Sequence, residues 1–254
     1  MFELATHLAL LLILAAFIAG FVDAIAGGGG LISVPALLLA GASPLETLAT
    51  NKLQGSFGAG TAMITYARAG HVNLREQGFV AATALLAGAC GAFFAYLIPA
   101  EILRMVMPVI LIAIALFFAF KPGLTDADRH QRLSKPVFTF TAVPLIAAYD
   151  GLFGPGTGSF FMLAFVLLAG MGLLKATAHT KVANLASNIG SLLVFIPSGH
   201  VWWMTGGCMA LAQIAGAAIG ARLAMRIGAG LIKPLLVLTS TGMALRLIWQ
   251  AYSG

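Results

Sequence analysis

Charge is what this sequence has least of. Lys, Arg, Asp and Glu make up 9% of its 254 residues, against roughly 25% in soluble domains. That scarcity excludes a water-exposed surface over most of the chain. Cysteine is nearly absent: Cys90 and Cys208 stand in unlike apolar contexts, which argues against a disulfide framework or a thiolate metal site and leaves two small apolar residues in helices. No paired-histidine metal motif, no Gly-x-Ser-x-Gly elbow and no Gly-x-x-x-x-Gly-Lys-Ser/Thr phosphate loop occurs. Metallohydrolase, serine hydrolase and ATP-driven chemistry therefore have nothing to stand on. The 10 methionines are scattered, whereas a copper path needs clustered soft ligands. The expectation is a non-enzyme with no metal and no cofactor.

What is abundant is apolar surface: 60% of the residues are hydrophobic and the mean hydropathy is +0.99. Apolar stretches cover 4–26, 78–98, 102–120, 204–225 and 231–249, several of them near the ~20 residues that span a bilayer. The net charge of +6 would suggest nucleic acid in a soluble protein. Here much of the basic charge lies in short loops between apolar segments, the positive-inside pattern, so the expected surroundings are a lipid bilayer and not nucleic acid. Ala24-Ile25-Ala26 resembles a signal cleavage site, but no Lys or Arg precedes the first apolar run and its Asp-plus-glycine punctuation recurs later. The segment is expected to stay as a structural helix.

The chain repeats itself. "DAIAGGGG" from Asp23 aligns with "DGLFGPGT" from Asp150 at a spacing of 127 residues, matching Gly27 to Gly154 and Gly29 to Gly156. "LLLAGASPLETLATNK" aligns with "VLLAGMGLLKATAHTK" at a spacing of 129, matching Gly41 to Gly170 and Lys52 to Lys181, and "GHV" at 70–72 recurs at 199–201. The expected organisation is a first membrane repeat over 1–120, a polar cytoplasmic linker over 121–136 and a second membrane repeat over 137–254, forming one integral unit.

Loop charge gives the orientation. The linker carries Lys121, Arg129, Arg132 and Lys135 and is placed in the cytoplasm. The loop holding His71 has Arg68 and Arg75 while the next has only Arg104. In the second half the loop holding His200 has none, while the following one has Arg222, Arg226 and Lys233. Equivalent loops thus fall on opposite sides, the mark of an inverted repeat whose site lies at the midplane between halves. The fold class expected is an all-α polytopic membrane protein with two inverted repeats, Gly-broken or re-entrant helices and about eight to ten membrane segments. Residues 31–41 are too short to cross, and Ser43, Pro44 and Glu46 read as the capped start of the next helix.

The glycine breaks are the candidate site. Consecutive glycines let backbone N–H groups converge at a helix start and form a nest for an anion, which singles out Gly28, Gly29 and Gly30 in the first half and Gly156, Thr157 and Gly158 in the second. Close helix packing through small residues is the competing explanation. Lys52 and Lys181 lie about two turns inside their helices, where a charge costs several kcal/mol unless it snorkels or is paired; facing the cavity, they would supply two cations. Asn51 and Gln54 beside the first, and His179, Asn184 and Asn188 beside the second, would orient a ligand or act as interhelical glue. Asp23 and Asp150 close the first helix of each half, with capping, pairing to the lysines and proton coupling all open. His71 and His200 read as interface residues.

These blocks, "GFVDAIAGGGGLISVPALLLAGASPLETLATNKLQGSFGAGTA" and "YDGLFGPGTGSFFMLAFVLLAGMGLLKATAHTKVANLASNIGSLLVF", resemble the sulfite exporter, or TauE/SafE, family of bacterial membrane permeases, and the resemblance runs over nearly the whole chain. It implies transport of sulfur-containing anions such as sulfite or organosulfonates across the inner membrane of a bacterium. The residues themselves argue only for a small anionic substrate. A non-sulfur weak-acid anion and a non-transporting membrane scaffold subunit stand as alternatives, and a homo-oligomer is compatible with the chain.

Overall fold

The computed structural model describes residues 6–103, 105, 106, 109, 130–228 and 230. The spans expected at 102–120 and 231–249 lie almost wholly outside them, as do linker positions 121–129 with Lys121 and Arg129, and the loop residues Arg104 and Lys233. Among the described residues every regular element is helical. In order they are α1 (Thr6–Ala26), α2 (Gly30–Leu39), α3 (Pro44–Arg68), a 3-10 turn (Leu74–Gln77), α4 (Gly78–Leu97), α5 (Lys135–Phe140), α6 (Ala142–Leu152), α7 (Thr157–Leu167), α8 (Leu173–Phe195) and α9 (Trp203–Ile227).

Among the described residues three stretches, Leu8–Ala26, Leu74–Leu97 and Trp203–Ile227, are long and apolar enough to cross a membrane. The distribution of side chains is that of a protein in lipid: Phe79, Leu145 and Leu211 are exposed while Asn51, Lys52, Gln54, Lys181, Asn184 and Asn188 are buried. Hydrocarbon cannot satisfy polar groups, so they turn inward and the apolar ones outward. The chain is a multi-pass membrane protein.

Local chemistry explains the boundaries. α1 stops at Gly27, whose φ of 77° a side chain would resist, and whose N–H donates to Asp23 O at 2.9 Å. α3 starts on a complete capping box: Ser43 Oγ accepts from Glu46 N and Glu46 Oε2 accepts from Ser43 N, with Pro44 in the first turn. The left-handed glycines recur with the sequence repeat, since Gly27, Gly41 and Gly70 match Gly154, Gly170 and Gly199, all at positive φ. At 10 and 11 residues, α2 and α7 are about 15–17 Å long, half the hydrocarbon thickness.

The two halves are intertwined. α9, from the second half, packs along α1 and α3 of the first, and α4, from the first half, packs along α6 and α8 of the second. Two four-helix groups result, α1-α2-α3-α9 and α6-α7-α8-α4, joined mainly where α3 meets α8. The cross-half contacts run through small residues. A Cβ on Gly216 or Gly220 would strike the carbonyls of Phe17 or Phe21, and one on Gly91 or Gly190 those of Ala148 or Leu85. Without a hydrophobic force between helices in lipid, such backbone proximity supplies the attraction.

Candidate functional site

The two glycine breaks meet. Ser159 N donates to Gly27 O at 3.1 Å and its hydroxyl to Ala26 O at 2.7 Å. A Cβ on Gly158 would lie 2.7 Å from Gly27 Cα, and one on Gly30 would lie 3.2 Å from Pro155 Cα. The starts of α2 and α7 are therefore brought head to head. Each first turn leaves N–H groups without an intrahelical acceptor, and each carries the positive end of a helix dipole.

Between them lies a cavity of about 30 Å³, room for about two water molecules. It is lined by Asp23, Gly29, Gly30, Asn51, Asp150, Gly156, Thr157, Gly158, Asn184 and Asn188, all singled out in the sequence, together with Gly27, Gly154, Gly55 and Gln213. Its polar side chains form two chains of hydrogen bonds. Ser33 Oγ donates to Asn51 Oδ1 at 2.6 Å, Gln54 Nε2 to the same oxygen at 3.2 Å, and Gln213 Nε2 to Gln54 Oε1 at 3.3 Å. On the other side Ser187 Oγ donates to Asp150 Oδ2 at 2.6 Å, and Asn188 Nδ2 to Asn184 Oδ1 at 3.2 Å. Gly55 faces the Asn188 amide, which a Cβ there would meet at an ordinary contact distance of 3.6 Å.

Lys52 and Lys181, each the ninth residue of its helix, do not open into this cavity. Each pairs with the aspartate of the opposite half: Lys52 Nζ lies 2.7 Å from Asp150 Oδ1 and Lys181 Nζ lies 3.0 Å from Asp23 Oδ2, both lysine side chains being fully buried. Lys181 also donates to the Asp23 main-chain oxygen. Lys52 Nζ has no aligned hydrogen-bond acceptor among the described residues, so the ion pair is what holds it. An uncompensated ammonium at membrane depth is expensive, and the two crossed pairs remove that cost. The wall of the cavity is consequently carboxylate, amide and backbone, with the cations one layer behind.

Besides the lysines, three sequence candidates lie off this wall: Gln54, which reaches it only through its hydrogen bonds to Asn51 and Gln213, Gly28 and His179. Gly28 is not among the lining residues, although its carbonyl accepts from Leu31 N at 3.0 Å and so shapes the start of α2. His179 faces a separate cavity of about 530 Å³, lined with Phe138, Phe165, Gln77, Lys135 and Lys175, and its Nδ1 pairs with Lys175 O at 2.8 Å. Residues two apart on a helix point to different faces, which is why His179 and Lys181 part company. Gln213 was not anticipated. It is the one strongly polar residue between Thr205 and Arg222 on α9, a signal in its own right, but its repeat partner at a spacing of 129 is Ala84, so the repeat pattern passes over it. No group of three or more His, Cys, Asp or Glu able to hold a metal occurs among the described residues.

The sequence has relatives among known proteins. Residues 12–247 match the family described as sulfite exporter TauE/SafE. The probable membrane transporter protein ORF9 of a Sinorhizobium species is 55% identical over 246 residues, covering 97% of this chain and 94% of that protein. The probable membrane transporter protein YfcA of Escherichia coli K12 is 43% identical over 93% of this chain and 88% of its own. A probable membrane transporter protein of Haemophilus influenzae is 41% identical over 98% and 97%. No solved structure matches the chain.

Proposed function

The chain belongs to the TauE/SafE family of membrane transporters, and from that premise we propose that it is a secondary permease of the bacterial inner membrane carrying a small oxyanion, sulfite or an organosulfonate, through the cavity between α2 and α7. The observation that carries this reading is the head-to-head meeting of two half-length helices at their N-terminal ends, with buried amides around the meeting point. Discontinuous helices that aim their positive ends at an anion near the midplane are a recurrent transporter device. Anion oxygens would take the first-turn N–H groups of Gly30 and Gly158 and the amides of Asn51, Asn184, Asn188 and Gln213.

The two halves act as oppositely oriented repeats in this reading, in keeping with the loop charges and the reciprocal packing of α1 on α9 and α6 on α4. The rocking bodies are then not the sequence halves but the two exchanged four-helix groups, which slide where α3 meets α8. The cavity offers about 30 Å³ of room, and an oxyanion gains its space as that seam parts. Flux of radiolabelled sulfite into proteoliposomes holding the purified protein tests the proposal, with sulfate, acetate and ethanesulfonate as competitors. Saturable flux inhibited by ethanesulfonate is expected. An absence of flux, and of thermal stabilisation by every anion in the panel, would leave the scaffold alternative in its place, since a ligand of the native state must stabilise it.

A further inference from the structure

The four charged groups beside the cavity cancel: Lys52 with Asp150, Lys181 with Asp23. Among the described residues the pocket thus has no spare cation, and two carboxylates line it while the lysines do not. Asp23 already occupies the anion's place. Its Oδ2 is on Lys181, and its Oδ1 takes a long 3.4 Å contact from Gly29 N at the start of α2. An incoming anion therefore meets a resident one.

The two pairs are not equivalent. Asp150 is partnered on both oxygens, by Lys52 at 2.7 Å and by Ser187 at 2.6 Å, and its side chain is 3% exposed. Asp23 is 15% exposed at its side chain and has only the long contact on its second oxygen. Lys181 has a second anchor, the Asp23 main-chain oxygen, so the ammonium stays in place when the carboxylate leaves. Lys52 has no such anchor. The titratable groups around Asp23 are Lys181 from α8, the Tyr66 hydroxyl of α3, which donates to Ala24 O, and, across the cavity, Asp150 with its Lys52. α2 and α7 carry none, and Arg222 and Arg226 of α9 are exposed.

Resting on the anion-transport reading above, we propose that the substrate displaces the Asp23 carboxylate from Lys181, and that Asp23 takes up one proton as it is displaced. The balance is one anion and one proton entering, the Asp23–Lys181 ion pair opening, an anion–Lys181 pair forming and a neutral Asp23 carboxyl remaining. The charge within the membrane is unchanged by loading a monovalent anion, and transport is coupled to a proton moving the same way. The Lys52–Asp150 pair stays shut throughout and holds α3 against α6.

Calorimetric titration of the full chain in detergent tests this, with ethanesulfonate as the probe because it remains ionised at every pH used. Comparing buffers of different protonation enthalpy gives the protons bound per anion. About one proton per ethanesulfonate is expected, with Kd rising about tenfold per pH unit on the alkaline side, the slope of a one-proton linkage. Asp23→Asn should abolish the proton uptake and flatten the pH dependence. Saturable binding with no proton uptake and a constant Kd overturns the proposal while leaving the transport reading intact, and needs no variant. Uptake that persists in a folded Asp23→Asn protein overturns the assignment to Asp23. If sulfite alone binds, its own protonation, measured without protein, is subtracted and the same criteria apply. No saturable binding of ethanesulfonate, sulfate or sulfite refutes both readings together.

Discussion

Replacing Asp150 by Asn removes the carboxylate 2.7 Å from Lys52 Nζ and strands an ammonium group that is fully buried and has no other aligned acceptor among the described residues. Breaking a buried pair from one side costs about 3–5 kcal/mol, because the remaining charge is left desolvated. For a chain of this size each kcal/mol moves the midpoint by about 2–4 °C, so the thermal transition in detergent should fall by about 6–20 °C. Removing both partners reverses the sign of the argument: an apolar pair of similar volume is commonly neutral or stabilising. Lys52→Met with Asp150→Leu should therefore unfold within a few degrees of the wild type, and Ser187 keeps an acceptor in Asn184 O at 3.1 Å. The assay is thermal unfolding of the purified protein followed by the loss of its helical circular dichroism. A loss below about 1 kcal/mol in the single variant, the value of an exposed pair, or a double variant no better than the single, would refute the reasoning.

Gly158→Ala and Gly27→Ala should each abolish a folded, monodisperse protein on size-exclusion chromatography, since their Cβ atoms would enter the facing backbone. Gly207→Ala, which meets nothing within 4 Å on α9, should be neutral or gain up to about 1 kcal/mol. Gln213→Leu leaves Gln54 Oε1 without its donor and should cost about 1–3 kcal/mol of stability along with a measurable loss of sulfite affinity. Ser43→Ala breaks the capping box of α3 and should cost about 1 kcal/mol with sulfite affinity unchanged. His179→Ala, in the separate cavity, should leave sulfite affinity unchanged as well; a large drop would show that the two cavities communicate.

Much of this site was legible because polar residues are conspicuous in an apolar chain. Asp23, Asp150, Lys52 and Lys181 stood out for their cost, and the glycine breaks for their repetition. The ends of α2 and the capping of α3 followed from local rules that need no tertiary information. What could not be read was partnership. Whether Lys181 meets Asp23 or Asp150 depends on which half packs on which, a property of helix surfaces made of Gly and Ala and therefore nearly silent in sequence. The sequence leaves the lysines free to face the cavity, to snorkel or to pair with the aspartates, and the crossed pairing that shields them is set by long-range packing. His179 was drawn to the site by nearness along the chain, where the helical face decides, and Gln213 was passed over because it has no repeat partner.

The exchange of α4 and α9 between the halves has a temporal side. α1 leaves the ribosome about 200 residues ahead of its packing partner α9, an interval of roughly 10–40 s at 5–20 residues per second. Throughout that wait the Phe17–Phe21 backbone surface, which will receive Gly216 and Gly220, has only lipid or the insertion machinery against it. Neither half can close its own interior, so maturation is a single late event: a nascent chain truncated before Trp203 should be cleared by membrane proteases, and the two halves made as separate chains should rescue one another only when synthesised together.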